Sequence, residues 1–396
     1  GKKVSKPSPS VHNEHTHFPK DPLCDVCNQC KTSHAQHRSK EIQEIDAMPR
    51  PTAWAQNLTA DHAILVTKDN GKTPGRHGEK VALIIVDRFT QWIRSYACET
   101  KSSHDTSMCF QRFMGNGKKP GHVYTDNSKE FECALRELGW AHDCSTPYQP
   151  QSNGIAERNV RRVKEGTSCT LYQSGFSDEW WPEAMACYCF LRCVVDQQTG
   201  GGTPYSIRFG GNFRGPLMSM GSYIQYYPNS PEDKARVYKY GGKLLDGLFI
   251  GYEECHGGGW SGKLLIVDWE ELNTASHAST INVKTLPSAE VFIVKTAKGL
   301  VKFPLADGKL AQPGISQENQ SRRARMKMMT EDSETESEAQ SMEAQSGSEN
   351  ETSECEESEG EESTVEENEL REDESSVEEV PVIEADSEEE TSASDA

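Results

Sequence analysis

The chain has 396 residues and a formal net charge of −20 at pH 7, and that length suits two or three domains. The charge is split: residues 331–396 hold 28 acidic residues against one arginine, −27, while residues 1–330 hold 41 cationic against 34 acidic residues, +7. The mildly basic body keeps a polyanion partner open, no apolar run is long enough for a helical membrane span, and 13 cysteines behind a polar, basic start argue for reduced thiols in cytosol or nucleus.

Residues 11–40 are dense in His and Cys with little to bury, so this segment needs a metal or stays loose. From about Thr59 the pattern becomes globular. Ala63–Val66, Val81–Val86 and Gln91–Cys98 read as three strands of a meander, separated by turn-rich stretches. His104–Met114 reads as a helix and Gly121–Thr125 as a strand ending at Asp126. Glu130–Leu138 is a short helix stopped by Gly139, followed by a strand at Asp143–Thr146. A Pro/Gln/Asn/Gly loop over 147–154 leads into two long helices, Ile155–Tyr172 and Glu179–Val195. Strands followed by helices predict an α/β core with a mixed sheet, over residues 55–200. Residues 203–300 form a smaller β-rich domain, with strands at Tyr223–Tyr227, Leu244–Tyr252, Lys263–Trp269 and Val291–Val294 suited to a small barrel or sandwich. From about Gln312 to Ala396 the Ser/Glu-rich chain lacks aromatics and is expected to be disordered.

Two stretches stand out chemically. The first is Tyr124-Thr125-Asp126-Asn127-Ser128-Lys129-Glu130-Phe131, followed by Thr146-Pro147-Tyr148-Gln149-Pro150-Gln151-Ser152-Asn153-Gly154-Ile155-Ala156-Glu157-Arg158. These residues resemble the integrase region of copia-type LTR retrotransposon polyproteins, in the retroviral-type integrase superfamily. There an Asp-Asn-x-x-Glu-Phe element precedes a Pro-Tyr-x-Pro-Gln-x-Asn-Gly-x-x-Glu element. The likeness extends over Ala60-Asp61-His62, Val86–Trp92, Trp180–Ala184, Thr203-Pro204-Tyr205 and Leu248–Tyr252. Two departures are visible. Thirty residues separate Asp126 from Glu157, fewer than is usual in the family, and Ser128-Lys129 replaces a glycine pair.

The resemblance implies an RNase H-like core, with Asp61, Asp126 and Glu157 as catalytic ligands of two Mg²⁺ or Mn²⁺ ions. Such ions suit in-line displacement at phosphorus, which needs charge on both the attacking and the leaving oxygen. The implied activity is DNA 3′-end processing and strand transfer, acting on element and target DNA in the nucleus after assembly in the cytoplasm, by a homo-multimer. Asp87, after the most apolar strand, is the rival for the first carboxylate, but the resemblance puts it away from the metals. Arg158, Arg161, Arg162 and Lys164 follow Glu157, and Arg161 and Lys164 share its helix face, so they are candidate phosphate contacts. Gln151 and Asn153 are candidate DNA contacts from the preceding loop. A solvated helix face and an ordinary helix-entry loop are the plainer alternatives. A general RNase H-like nuclease, and a domesticated relic that binds DNA or chromatin without catalysis, are the other functional readings.

The second stretch is Cys24-x-x-Cys27, whose spacing lets two thiolates share one tetrahedral ion. Integrases of retroelements carry a two-His, two-Cys zinc module, and the expected ligands of one Zn²⁺ are His12, His17, Cys24 and Cys27, with His15, Cys30 and His34 as possible substitutes. Cys187, Cys189 and Cys193 lie in an aromatic, apolar helix and read as core, as do Trp180 and Trp181. The acidic tail reads as a linker to a further polyprotein segment, or as an arm for a chromatin partner. The cluster Arg322, Arg323, Arg325 and Lys327 before it reads as solvated charge.

Overall fold

The computed structural model describes residues 12–31, 50–65, 74–144 and 154–313. The 147–154 loop up to residue 153, the 322–327 basic cluster, the acidic tail and His34 lie outside those residues.

Near the N-terminus Asp25–Cys30 forms the short helix α1. The core follows. Strand β2 (Val81–Asp87) is buried along its whole length, as a run of Val, Ala, Leu and Ile demands. It pairs antiparallel with β1 (Asn57–Ile64) on one side and β3 (Ile93–Cys98) on the other. The crossing helix α2 (Ser103–Met114) starts on Ser102, whose side chain accepts from Asp105 N at 3.1 Å. It brings the chain back to β4 (His122–Thr125), parallel to β1. Helix α3 (Lys129–Leu138) ends at left-handed Gly139, φ 63°, with the N–H groups of Gly139 and Trp140 bonded to Arg136 and Leu135 carbonyls. Strand β5 (His142–Cys144) then adds parallel to β4. The sheet order is β3-β2-β1-β4-β5, a mixed sheet with helices packed against it.

Helix α4 (Gly154–Ser174) lies against β1 and β2, and α5 (Trp181–Val195) lies against α4. Gly166 permits that approach, because a Cβ there would strike the Tyr188 ring. Buried residues occupy every side of α5, including Trp181, Met185, Cys187, Tyr188, Cys189 and Cys193. A helix apolar all round must be covered all round, and the other cover is a second sheet.

After α6 (Pro204–Phe209), the second sheet contains β6 (Tyr223–Tyr226), β7 (Leu245–Glu254), β8 (Trp260–Asp268), β9 (Val283–Pro287) and β10 (Val291–Ile293). The short helices α7 (Pro231–Ala235) and α8 (Trp269–Thr274) interrupt it. Its order is β10-β6-β7-β8-β9, antiparallel throughout. Instead of the expected barrel or sandwich it is one open sheet. Its β7 packs on α5, and α5 packs on β3, so a single apolar cluster runs through both sheets. Arg94 of β3 and Glu254 of β7 join the sheets by a buried ion pair at 2.5 Å, with the guanidinium 3.8 Å over the Trp92 ring.

Two boundaries differ from the sequence reading in ways that matter. Strand β1 begins at Asn57, not Ala63, because it pairs with β4 from Asn57↔His122 and with β2 from Leu58↔Asp87 to Ile64↔Val81. Asp61 therefore sits inside the strand. Strand β9 escaped the sequence reading because Val-Lys-Thr-Leu-Pro neither alternates nor runs apolar. No helix among the described residues is long and apolar enough to cross a membrane.

Candidate metal centres

The parallel ladder of β1 and β4 sets Leu58 against Val123 and Thr59 against Tyr124. Continued for two residues, that register brings Asp61 beside Asp126, just past the end of β4. Glu157 lies in the first turn of α4, and α4 packs on β1. Three carboxylates far apart in sequence are thereby turned toward one end of the central strands.

Their electrostatics confirm the proximity. Burial pushes the Asp61 carboxyl up to about 6, and the neighbouring charges of Asp126 and Glu157 push the same way, against a smaller opposing effect of Lys101 and of the His62 backbone N–H. Asp126 Oδ1 is buried and accepts no hydrogen bond from the described residues. An ionisable oxygen without a partner is costly unless a cation fills the gap. The donor set is all oxygen, and hard divalent ions favour such sets. The residues present therefore fit magnesium or manganese. They are not drawn together to the spacing that the His/Cys group reaches.

The adjoining motif residues support the carboxylates from below. Phe131 is fully buried and packs 4.4 Å from the His62 ring, pinning the start of α3 to β1 behind Asp126. Lys101, which sequence reasoning missed, pairs with Glu130 at 3.5 Å and is one of the cations that act on Asp61. Only the fold brings it there, from the loop before α2. Asp87 has a different task. It is fully buried and accepts from Ala55 N at 2.9 Å and from Thr90 N and Oγ1, each at 2.7 Å. It ties the β2–β3 turn to the start of β1, with its lone pairs spent on that.

On α4, Arg158, Arg161 and Lys164 are exposed, as phosphate contacts would need to be. Arg162 is not. It is half-buried 5.9 Å from the Phe18 ring, and burial, then the nearby Arg192 charge, lowers its pKa. The helical turn points it at the N-terminal segment, so it belongs to packing and not to the exposed stripe. Gln151 and Asn153 lie outside the described residues.

The N-terminal segment converges more tightly. His12, His17, Cys24 and Cys27 bring one ligand atom each to within 4.8 Å of one another. Cys24 caps α1 and Cys27 follows one turn later, so the helix aligns both thiols. The Cys24 Sγ to His17 Nδ1 separation is 3.5 Å. Bond lengths of about 2.3 Å to sulfur and about 2.0 Å to nitrogen at a tetrahedral angle give roughly that separation. His12 Nδ1 lies 2.8 Å from the Pro19 carbonyl, a bond that leaves Nε2 with its lone pair for an ion. Burial lowers His17 to about 4, so its ring is neutral at neutral pH, as a ligand must be. Two nitrogens and two sulfurs gathered within that span fit zinc, which favours such N/S sets.

The two substitutes within the described residues are engaged elsewhere. His15 Nδ1 meets Ser219 Oγ at 2.9 Å, and Cys30 Sγ donates to the Ser168 carbonyl at 3.5 Å. These contacts, with Thr16 Oγ1 donating to Asp196 at 2.7 Å, fasten the segment to α4, to the end of α5 and to the strand-entry loop of the second sheet. Nothing in the local sequence of Asp196 or Ser219 signals that role. All 12 cysteines among the described residues are free thiols, and Cys187, Cys189 and Cys193 are buried in the core as expected.

No protein-family model matches the chain. Sequence relatives exist nonetheless. The Retrovirus-related Pol polyproteins from transposons RE1 and RE2 of Arabidopsis thaliana are 32% identical over 116 residues and 30% identical over 115 residues. Each alignment covers 28% of this chain and 8% of the relative. The Gag-Pol polyprotein of Woolly monkey sarcoma virus is 26% identical over 148 residues, 35% of this chain and 8% of that one. The chain thus spans less than a tenth of the length of these relatives. Among solved structures, a chain of the simian T-cell lymphotropic virus intasome aligns with a TM-score of 0.34 at 15% identity, covering 69% of this chain and 88% of that one. The catalytic core domain of BIV integrase aligns with a TM-score of 0.29 at 20% identity, covering 39% and 95%. The chain is related by sequence to the Pol polyproteins of retroviruses and LTR retrotransposons.

Proposed function

We propose that this chain is the integrase region of a copia-type retrotransposon polyprotein, which trims the 3′ ends of element DNA and joins them to target DNA. The observation that carries this reading is the β1–β4 register that sets Asp61 beside Asp126, with Glu157 on the helix packed against β1. The raised Asp61 pKa and the partnerless Asp126 oxygen describe a cleft short of positive charge. Relatedness to Pol polyproteins gives such a cleft its context.

In this reading the core is RNase H-like and Asp61, Asp126 and Glu157 hold two divalent ions. Those ions, when bound, supply the charge that stabilises the attacking and leaving oxygens at phosphorus. The chain's own residues do the rest. Asp61, inside a strand, holds its carboxylate rigidly. Asp126, at a strand end, faces it, and Glu157 approaches from the helix. Arg158, Arg161 and Lys164 grip backbone phosphates, so affinity is dominated by charge and target sequence preference is weak. Gln151 and Asn153 are the expected DNA contacts of the loop before α4. The 1–40 segment binds one zinc ion through His12, His17, Cys24 and Cys27 and braces the 55–200 core, while residues 203–300 form a β-rich platform. The chain works as a homo-multimer in the nucleus, and the 312–396 tail links it to a further polyprotein segment or engages a chromatin partner.

The test compares two substrates. With magnesium or manganese, the protein is expected to join a labelled blunt DNA duplex to a plasmid and to leave an RNA–DNA hybrid uncut. Hybrid cleavage without joined product would replace this reading with a general nuclease. Neither activity, from protein that binds DNA, would make it a binding relic.

A further inference from the structure

Between α7 and β7 the chain runs Lys234-Ala-Arg-Val-Tyr-Lys-Tyr-Gly-Gly-Lys243, with four cations and no acid in ten residues. Tyr238 is 85% exposed and Tyr240 92% exposed. The next most exposed Phe, Tyr or Trp among the described residues is Phe292, at 49%, and many of the rings around the second sheet are packed together. A single exposed ring is ordinary, but two on one basic loop are a feature.

The base of this loop is rigid. Arg236 bonds Asp268 at 2.9 Å and Glu270 at 2.9 Å, and lies 3.5 Å from Asp233. Asp233 in turn holds Lys284 at 2.7 Å. These acids are consumed by the anchor. The exposed lysines Lys234, Lys239 and Lys243 form no ion pair among the described residues, and Lys239 lies 5.5 Å over the Tyr240 ring. A fixed base therefore presents two rings and three ammonium groups to solvent.

We infer that the Tyr238–Tyr240 loop is a binding site for unpaired nucleotides, in which the two rings stack on bases and the flanking lysines take the phosphates. A free base offers a flat face that a ring can cover whatever its sequence, whereas bases inside a duplex have both faces covered. A protein partner fits less well, since lysine is depleted in the buried centres of protein interfaces. This loop lies outside both metal centres, so the inference stands apart from the carboxylate chemistry. Single-stranded DNA and RNA share the recognised chemistry.

The experiment is fluorescence anisotropy on the full chain with its zinc retained and no magnesium added, so that no cleavage enters. The probes are an oligothymidylate and an oligouridylate of about 12 nucleotides and a blunt duplex of the same length. Tyr238→Ala with Tyr240→Ala is expected to weaken single-strand binding about tenfold or more, while duplex binding changes by less than about threefold. The paired Tyr→Phe variant keeps wild-type affinity, because the ring and not the hydroxyl acts. Lys239→Ala with Lys243→Ala weakens all three probes and flattens the single-strand salt dependence by about 0.7 per lost contact. A larger loss on one single-stranded probe identifies DNA or RNA as the source. Unchanged single-strand affinity in the alanine pair, at an unchanged melting midpoint, overturns the inference and leaves protein docking as the use of the rings. Equal losses on duplex and single strands also overturn it.

Discussion

The His/Cys group at the N-terminus and the carboxylates of the core are both assembled from separated residues, yet only the first is drawn to within 4.8 Å. The difference is one of charge. Neutral imidazoles and thiols can share a small space without an ion, and the Cys24–His17 contact is itself a weak hydrogen bond. Carboxylates cannot, because each one taken from water raises the cost of ionising the next. The Asp61 pKa of about 6 and the unpartnered Asp126 oxygen record that cost. One centre is thus preassembled and structural in character. The other is spaced by the strands and helix that carry it, and on the proposed function cations would complete it, as in a site that must admit a phosphodiester.

The largest effect that would sharpen this contrast is at the first centre. Structural zinc binding amounts to roughly 10–16 kcal/mol in small modules. Chelation, or Cys27→Ser, should release one zinc per chain and cooperatively unfold residues 12–31, read by metal analysis and by amide exchange on that segment. A chain that loses zinc with no change in exchange would show that this segment is folded without its ion. The opposite sign is expected at the second centre. Without magnesium, Asp126→Asn should stabilise the protein by on the order of 1 kcal/mol, the scale of one pKa unit, because it relieves Asp61. Thermal melts would read it, and added magnesium should raise the wild-type midpoint but not that of the variant. A destabilised Asp126→Asn would mean that its carboxylate is instead satisfied by the protein.

A smaller effect separates two neighbours on α4. Arg161→Ala should reduce the slope of log affinity for duplex against log salt by about 0.9 and leave stability within about 0.5 kcal/mol. Arg162→Ala should leave the slope alone and lower stability by about 1 kcal/mol, through its lost contact with the Phe18 ring. Matching effects would place both residues on one surface.

Much of this was legible in the sequence, and the pattern of success has physical reasons. Strand β2 announced itself because a strand buried on both faces must be apolar throughout, and Gly139 marked the end of α3 because it takes φ 63°. The Cys24-x-x-Cys27 spacing survived as geometry because a helix fixes it locally. Relations between distant segments were not legible. That Arg162 turns toward Phe18, that Lys101 reaches the field of Asp61, and that α5 carries a sheet on each side follow from packing, which leaves no local trace. The exposure of Tyr238 and Tyr240 likewise leaves no mark in the residues around them. The start of β1 is not evident in the sequence because Asn57, Thr59 and Asp61 look polar, although the first two are buried where β1 pairs with β4 and, at Thr59, also with β2.

The most direct test of the central claim is strand transfer in magnesium by the wild type beside Asp61→Asn, Asp126→Asn and Glu157→Gln, each shown to be folded and zinc-loaded. Joined product is expected from the wild type, with a loss in every variant well beyond the roughly 10–100-fold that a supporting residue costs. Joining that persists in any one of the three would contradict the assignment of that carboxylate and, with it, the metal-held trio.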